Sequence, residues 1–551
     1  MKKVFFILLF FYCSFQCFSQ QQKISAEDST RGTLSKERSC FDIHYYDLSL
    51  SVNIDKQFIS GSNVIYFKVL EDFSIIQLDL FNNLSISKIT DAKDSSITYV
   101  RKSNTVFVHF REMQKKNNFS FIKIYYEGQP HKAINAPWDG GFVWALDSLD
   151  RPWVSVACEG IGASLWWPCK DHPADEPDSM RMQFEVPQEF FCASNGNLID
   201  TRATDRKTKI YEWAVHYPVN TYNITLNIGH YLHFSDTYIR KDNTFLPLDY
   251  YVLSYNIDKA KKHFAQVKPM LECYEKLFGN YPFEKDGYAL IEAPYWGMEH
   301  QSAIAYGNRF KNNMMGLDYI IVHESGHEWW GNNVSVSDHA DLWIHEAFTT
   351  YGETLLLECL YNTETAEKYL MGQNKLIRNR EPIIGPYGVN YHYWRDSDMY
   401  YKGARMLHTL RHSIDNDSLW FALLLHLQKK FSGKQISTQE LVADINNFVG
   451  YNYSSFFSQY LTCTDLPVLE YEIIKKDKKS VRLRYRWKAD IKNFSLPMIV
   501  FVNDSTKIKI EPTKEFKTLS ISPDTKKQNS IFPVNSFYVI FEQIKSRPEK
   551  E

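Results

Sequence analysis

An excess of charge of either sign is the first thing this chain lacks. Across 551 residues the formal net charge is −2. That excludes the strongly basic footprint of a nucleic-acid binder. Long apolar runs are also scarce. Residues 4–15 form one, behind Lys2 and Lys3, and it is too short to span a bilayer. The pattern predicts a secretory leader over residues 1–19, cut after Ser19. The mature chain is then exported, periplasmic or secreted, with no stable membrane insertion. Cysteine is sparse: nine in all, two of them (Cys13 and Cys17) in the leader. The other seven, Cys40, Cys158, Cys169, Cys192, Cys273, Cys359 and Cys463, are scattered with no C-x-x-C. This excludes a small disulfide framework. Export permits a disulfide, but an odd count leaves at least one thiol free or intermolecular, and Cys158 and Cys169 are the nearest mature pair. No internal repeat or low-complexity segment is present.

Apolar residues (44%) and aromatics (15%) are what the chain does have. They are ample for globular cores, and the length suggests about three domains. Residues 20–36 are polar and aperiodic, which predicts a flexible lead-in. From Cys40 the chain alternates: Leu48, Leu50, Val52; Ile65, Phe67, Val69; Ile76, Leu78, Leu80; Val106, Val108, Phe110. Period two with turns between the runs predicts an antiparallel β domain over residues 37–235. Residues 254–279 switch to helical spacing through Ala260, Phe264, Val267, Leu271, Tyr274 and Phe278. Gly279 supplies the stop, and Pro269 predicts a kink or break. Helix, strand and helix in succession predict a mixed α/β lobe over residues 236–463. Alternation returns at Val481, Leu483, Tyr485 and at Met498, Val500, Val502. It predicts a small sandwich-like β domain over residues 464–551. The fold class is multidomain α+β.

The chain is organised around residues 321–352. At their head stands His323-Glu324-Ser325-Gly326-His327. On a helix, positions i and i+4 share one face, so both imidazoles can address one ion. Glu324 points to the adjacent side, placed for a water rather than for the ion. This is the H-E-x-x-H pattern of zinc hydrolases. Zinc needs a third protein ligand and an open fourth position. Glu346, eighteen intervening residues on, opens a second helical pattern and is the candidate.

These words resemble the gluzincin zinc aminopeptidase family of the alanyl aminopeptidases and the leukotriene hydrolase. The resemblance rests on Trp330-Gly331-Asn332 after the second histidine and on Asp341-Leu342-Trp343-Ile344-His345-Glu346. Further matches are Trp167-Pro168-Cys169-Lys170-Asp171, Ala193-Ser194-Asn195-Gly196-Asn197-Leu198 and Phe456-Phe457-Ser458-Gln459-Tyr460-Leu461. It implies a thermolysin-like catalytic lobe with one zinc per chain on His323, His327 and Glu346. It implies Glu324 as general base. Trp296-Gly297-Met298-Glu299-His300 stands where the family has G-x-M-E-N. Gly297, Met298 and Glu299 would line the substrate, with Glu299 on its α-amine. Trp296 and His300 depart from that phrase and put the local backbone and the first side-chain pocket in question. Glu159, in Cys158-Glu159-Gly160, would assist Glu299. Met399-Tyr400-Tyr401-Lys402-Gly403 resembles Y-E-K-G and puts the oxyanion-stabilising phenol at Tyr400, with Tyr401 as rival. Larger members add a helical roof over the cleft; no segment here is long enough to supply one, which implies more open access.

The expected activity is removal of N-terminal residues from peptides with a free amine. A thermolysin-type zinc endopeptidase shares the metal site, and Gly297-Met298-Glu299 argues against it. A non-catalytic peptide-binding protein on the same fold is a second alternative: the intact ligands, base and tyrosine argue against it, and Trp296 and His300 keep it open. Hydrolysis of a lipid epoxide or other non-peptide substrate is a further alternative.

Overall fold

A computed structural model describes residues 24–390, 395–477, 480–501, 507–521 and 532–544. The expected leader lies outside the described residues. Three regions follow in order: β-rich, then largely helical, then β again.

The first region is built on a seven-stranded sheet. Its order is Asn197–Ala203, Thr208–Val215, Ser179–Pro187, Phe41–Asn53, Phe58–Val69, Phe119–Gly128 and Leu84–Asp91. Alternation decides which side chains enter the core: Leu48, Leu50, Ile65, Phe67, Ile122 and Ile124 are fully buried or nearly so. The sheet is not purely antiparallel as expected. Phe41–Asn53 pairs in parallel with Ser179–Pro187, which joins the sheet only after the chain has added Phe58–Val69, Leu84–Asp91 and Phe119–Gly128 on the other side of Phe41–Asn53.

The described part of the lead-in, residues 24–36, is not the structureless segment expected. Ala26–Gly32 is a helix with a Ser25–Asp28 capping box. Its Arg31 is buried and donates to the Ile161 carbonyl (2.5 Å) and to Asp171 (3.2 Å). Arg38 is fully buried against Asp79. Most side chains of residues 24–36 are exposed or half-exposed, and the segment is docked by the buried Arg31.

Strand Tyr231–Ile239 crosses the boundary expected at 235/236 and pairs with Phe245–Leu253. Together with Tyr288–Glu292, Ile304–Tyr306 and Gly297–Met298 they make a mixed five-stranded sheet, with Gly297–Met298 at one edge. The helix expected over 254–279 is broken into Ile257–His263 and Val267–Phe278, with a 3-10 turn at Phe264–Gln266 between them. Pro269 is the physical reason. In the first turn of the second helix its missing N–H is not needed, while in a continuous helix it would collide with the carbonyl four residues back. The helices pack on the sheet through one large core that includes Tyr274, Trp329, Trp330, Ile344 and Leu407. The third region carries a four-stranded and a three-stranded sheet.

Cys273 and Cys359 form a disulfide between Val267–Phe278 and Trp343–Leu360, closing 86 residues of chain. Cys158 and Cys169, nearest in the mature sequence, are separate buried thiols. A cross-link of this span stabilises the fold by about 2–4 kcal/mol. Thermal melts with and without a thiol reductant should show the reduced protein melting lower, and Cys273→Ser with Cys359→Ser should reproduce the loss without reductant.

Candidate active site and metal centre

The metal-motif helix is Tyr319–Gly326, and Asp318 caps it by accepting the N–H of Ile320 at 3.0 Å. His263, Tyr306 and Asn308 also bond this buried carboxylate, at 2.7, 2.7 and 2.8 Å. The helix ends one residue before His327. That residue keeps right-handed helical dihedrals (φ −65°, ψ −20°), so the i, i+4 geometry survives. Glu346 projects from the first turn of Trp343–Leu360.

The three donor atoms converge. His323 Nε2 and His327 Nε2 are 3.3 Å apart. Glu346 Oε2 is 3.4 and 3.6 Å from them. Zinc bonds of about 2.0–2.2 Å in a tetrahedron put ligand atoms about 3.3–3.6 Å apart. Glu346 Oε2 is buried without a hydrogen-bond partner among the described residues. Each histidine has its other ring nitrogen on an acceptor: His323 Nδ1 on Glu353 Oε1 at 2.8 Å, His327 Nδ1 on the Trp330 carbonyl at 2.9 Å. Those partners hold the protons at Nδ1 and turn both Nε2 lone pairs to the common centre. The residues fit a single zinc ion.

Gly297 runs directly above Glu324. A Cβ at 297 would lie 2.5 Å from Glu324 Oε1 and 2.8 Å from Ile320 Cγ2. Only glycine lets the edge strand pass so close to the proposed base. Met298 is buried and pairs with Ala305. Glu299 lies within ligand-atom reach of Glu324 and His327, and it accepts from Tyr222 Oη at 3.2 Å. Asn332 holds the Glu299 carbonyl at 2.9 Å. Glu159 enters from a turn in which Gly160 and Gly162 have φ of 73° and 99°, and its carboxyl faces that of Glu299. Tyr400 stacks on the His323 ring at 5.9 Å, in the first turn of Asp398–Ile414. Tyr401 lies toward Glu353. All nine residues singled out from the sequence therefore meet at one cleft.

The electrostatics follow from crowding. Burial, then the Glu346 and Glu324 carboxylates, push Glu159 up to about 8. Burial pushes Glu324 up to about 7. Burial and Glu159 hold Glu299 well above the usual range. Each of these carboxylates needs a nearby cation to stay ionised.

Three contributors were not anticipated. Glu353 lies seven positions after Glu346, two turns along the same helix face, so periodicity could have found it. Tyr369 donates to its other oxygen. Tyr222 had no sequence signal, since it comes from the first β region. Trp296 points outward and is 44% exposed, whereas His300 is wholly buried and held neutral by burial, its pKa down at about 3. A second cluster, Glu367, His408 and His412, could in principle hold an ion. Burial and neighbouring cationic groups, Arg405 and Arg411 among them, push both imidazoles down, and that positive setting opposes a cation.

An α/β lobe that brings two helix-borne histidines and a carboxylate to one centre, with Glu324 beneath an edge strand, has the site geometry of the H-E-x-x-H class of metallohydrolases. Two family models match this chain: the Peptidase M1 N-terminal domain over residues 43–223 and the Peptidase family M1 domain over residues 263–460. Together they span well over half of the chain, and it belongs to peptidase family M1. Leucyl aminopeptidase of Saccharolobus solfataricus is 20% identical over 410 residues, 70% of this chain and 51% of that protein. Leukotriene A-4 hydrolase of Xenopus laevis is 22% identical over 427 residues, 73% of this chain and 67% of that protein. The chain spans 51% and 59% of the length of two such aminopeptidase relatives. An M1 zinc metallopeptidase from Deinococcus radiodurans shares the fold with a TM-score of 0.67 at 21% identity, covering 77% of this chain and 94% of that one.

Removing the acceptor behind a metal-binding histidine weakens the metal about 10- to 100-fold. Glu353→Gln should therefore lose zinc to a competing chelator at a correspondingly lower chelator concentration than the parent, read by metal analysis after dialysis.

Proposed function

We propose that this protein is a zinc-dependent aminopeptidase that removes N-terminal residues from peptides. The observation that carries the reading is the Glu299–Glu159 pair beside the metal ligands. A buried carboxylate pair so placed is satisfied by an ammonium group, and a free N-terminus brings one. The first peptide bond then falls over the donor set.

A zinc ion on His323, His327 and Glu346 would supply Lewis acidity to the scissile carbonyl and acidify a water. Glu324 takes a proton from the attacking water and delivers it to the leaving nitrogen. The Tyr400 phenol donates to the oxyanion as it develops. Glu299 and Glu159 hold the ammonium, and Tyr222 orients Glu299. Capping the amine removes the cation and leaves two carboxylates crowded together, which favours an aminopeptidase over an endopeptidase. Export is supported by the leader pattern and by the Cys273–Cys359 disulfide, which suits an oxidising compartment.

One peptide offered with a free and an acetylated amine, with and without chelator, tests the reading. Chelator-sensitive release of single residues from the free form alone is expected, and internal cleavage of both forms would reject it. Glu324→Gln should keep zinc and lose about 10²- to 10⁴-fold in kcat. Glu299→Gln should lose about 10- to 100-fold in kcat/KM, the worth of a charge-assisted contact.

A further inference from the structure

Trp296 stands where the family phrase has glycine, and nothing in the proposed chemistry uses it. Its indole stacks on Tyr319 (centroids 5.3 Å, 24°), and Tyr319 stacks on His323 (5.2 Å, 20°). Trp296 Nε1 donates to Asn308 at 3.3 Å, and Asn308 in turn donates to Asp318, the cap of the metal-motif helix. The ring is thus fixed to the helix that carries the site, yet it stays 44% exposed.

A second tryptophan meets it from the other region. Trp138 is 60% exposed, with its ring centroid 6.2 Å from that of Trp296 at 41°. Its loop is not loose. Asp139 accepts the N–H groups of Ile134 and Asn135 at 2.6 and 2.7 Å, and Ala136 packs against the cluster containing Tyr295 and Met298. Two large indoles, each held by its own framework, are left open to solvent beside the cleft.

Position along the edge strand says which part of a peptide they meet. Glu299 marks the amine, Gly297 lies over Glu324 and hence the scissile bond, and Trp296 is one residue further from the amine. A peptide whose first bond lies over Glu324 and Gly297 presents its second residue to the neighbouring position, Trp296. The geometry points to Trp296 and Trp138 as a clasp for the second residue of the substrate, selecting peptides with a large apolar or aromatic side chain there. The inference rests on the aminopeptidase reading and deepens it. Indole faces favour such side chains through burial and ring packing, which glycine at that position cannot match.

The test uses Ala-Phe-Ala and Ala-Gly-Ala on the full chain. Binding is measured by calorimetry in the Glu324→Gln protein, and kcat/KM in the active protein, each with and without Trp138→Ala. Trp138 is largely exposed, so the variant should fold, which circular dichroism checks. The clasp predicts a five- to tenfold preference for Ala-Phe-Ala in both measurements, about what one aromatic contact contributes, falling to within twofold in Trp138→Ala. Equal affinity for the two peptides, or a preference that Trp138→Ala leaves intact, overturns it. A Trp138-dependent binding preference without release of N-terminal alanine by the active protein would keep the clasp and reject the aminopeptidase reading instead.

Discussion

The convergence of His323, His327 and Glu346 is the constraint on which the rest of this molecule depends. Three polar donors lie buried with their atoms 3.3–3.6 Å apart. Without a cation that arrangement is unfavourable, because a buried carboxylate oxygen faces only imidazole lone pairs. Much of the surrounding structure holds it in place. Asp318 starts the first helix where it must start, Glu353 and the Trp330 carbonyl set both tautomers, and the Cys273–Cys359 bridge ties the Glu346 helix to its neighbour.

Negative charge around that centre is a second expression of the same design. Glu159, Glu299, Glu324, Glu346 and Glu353 crowd two histidines. Burial and mutual repulsion raise the first three. Such a site favours positive charge: a divalent ion at the donor set and, on the proposed reading, the ammonium of a free N-terminus at Glu299. The first β region supplies Glu159 and Tyr222, and its N-terminal helix is locked down by Arg31 and Arg38, so that region is part of the site and not merely a neighbour.

The edge strand shows how a departure from a family phrase can be absorbed. At Gly297 nothing larger than glycine fits above Glu324. One residue earlier the side chain turns outward, so Trp296 costs the backbone nothing and leaves its ring at the mouth of the cleft. His300, in contrast, is buried whole and stays neutral.

Short-range patterns by themselves pointed to the His323–His327–Glu346 donor set, to Glu324 beside it, to the alternating strands and to the helical lobe. Periods of two and 3.6 and an i, i+4 pair are local properties of the chain. Glu353 was equally legible, two turns beyond Glu346, though only with its purpose in view. Composition misled over residues 24–36, because polarity does not reveal that a capped helix is docked there by the buried Arg31–Asp171 pair. Spacing left the cysteine pairing open, because a bond joins what the fold brings together, here Cys273 and Cys359, and not what is near in sequence. Tertiary structure alone decided the parallel pairing of Phe41–Asn53 with Ser179–Pro187. It alone decided the choice of Tyr400 over Tyr401 as the ring facing His323, the arrival of Tyr222 at Glu299, and the meeting of Trp138 with Trp296. Each joins segments far apart in the chain, or turns on which face of a helix is covered, and packing settles both.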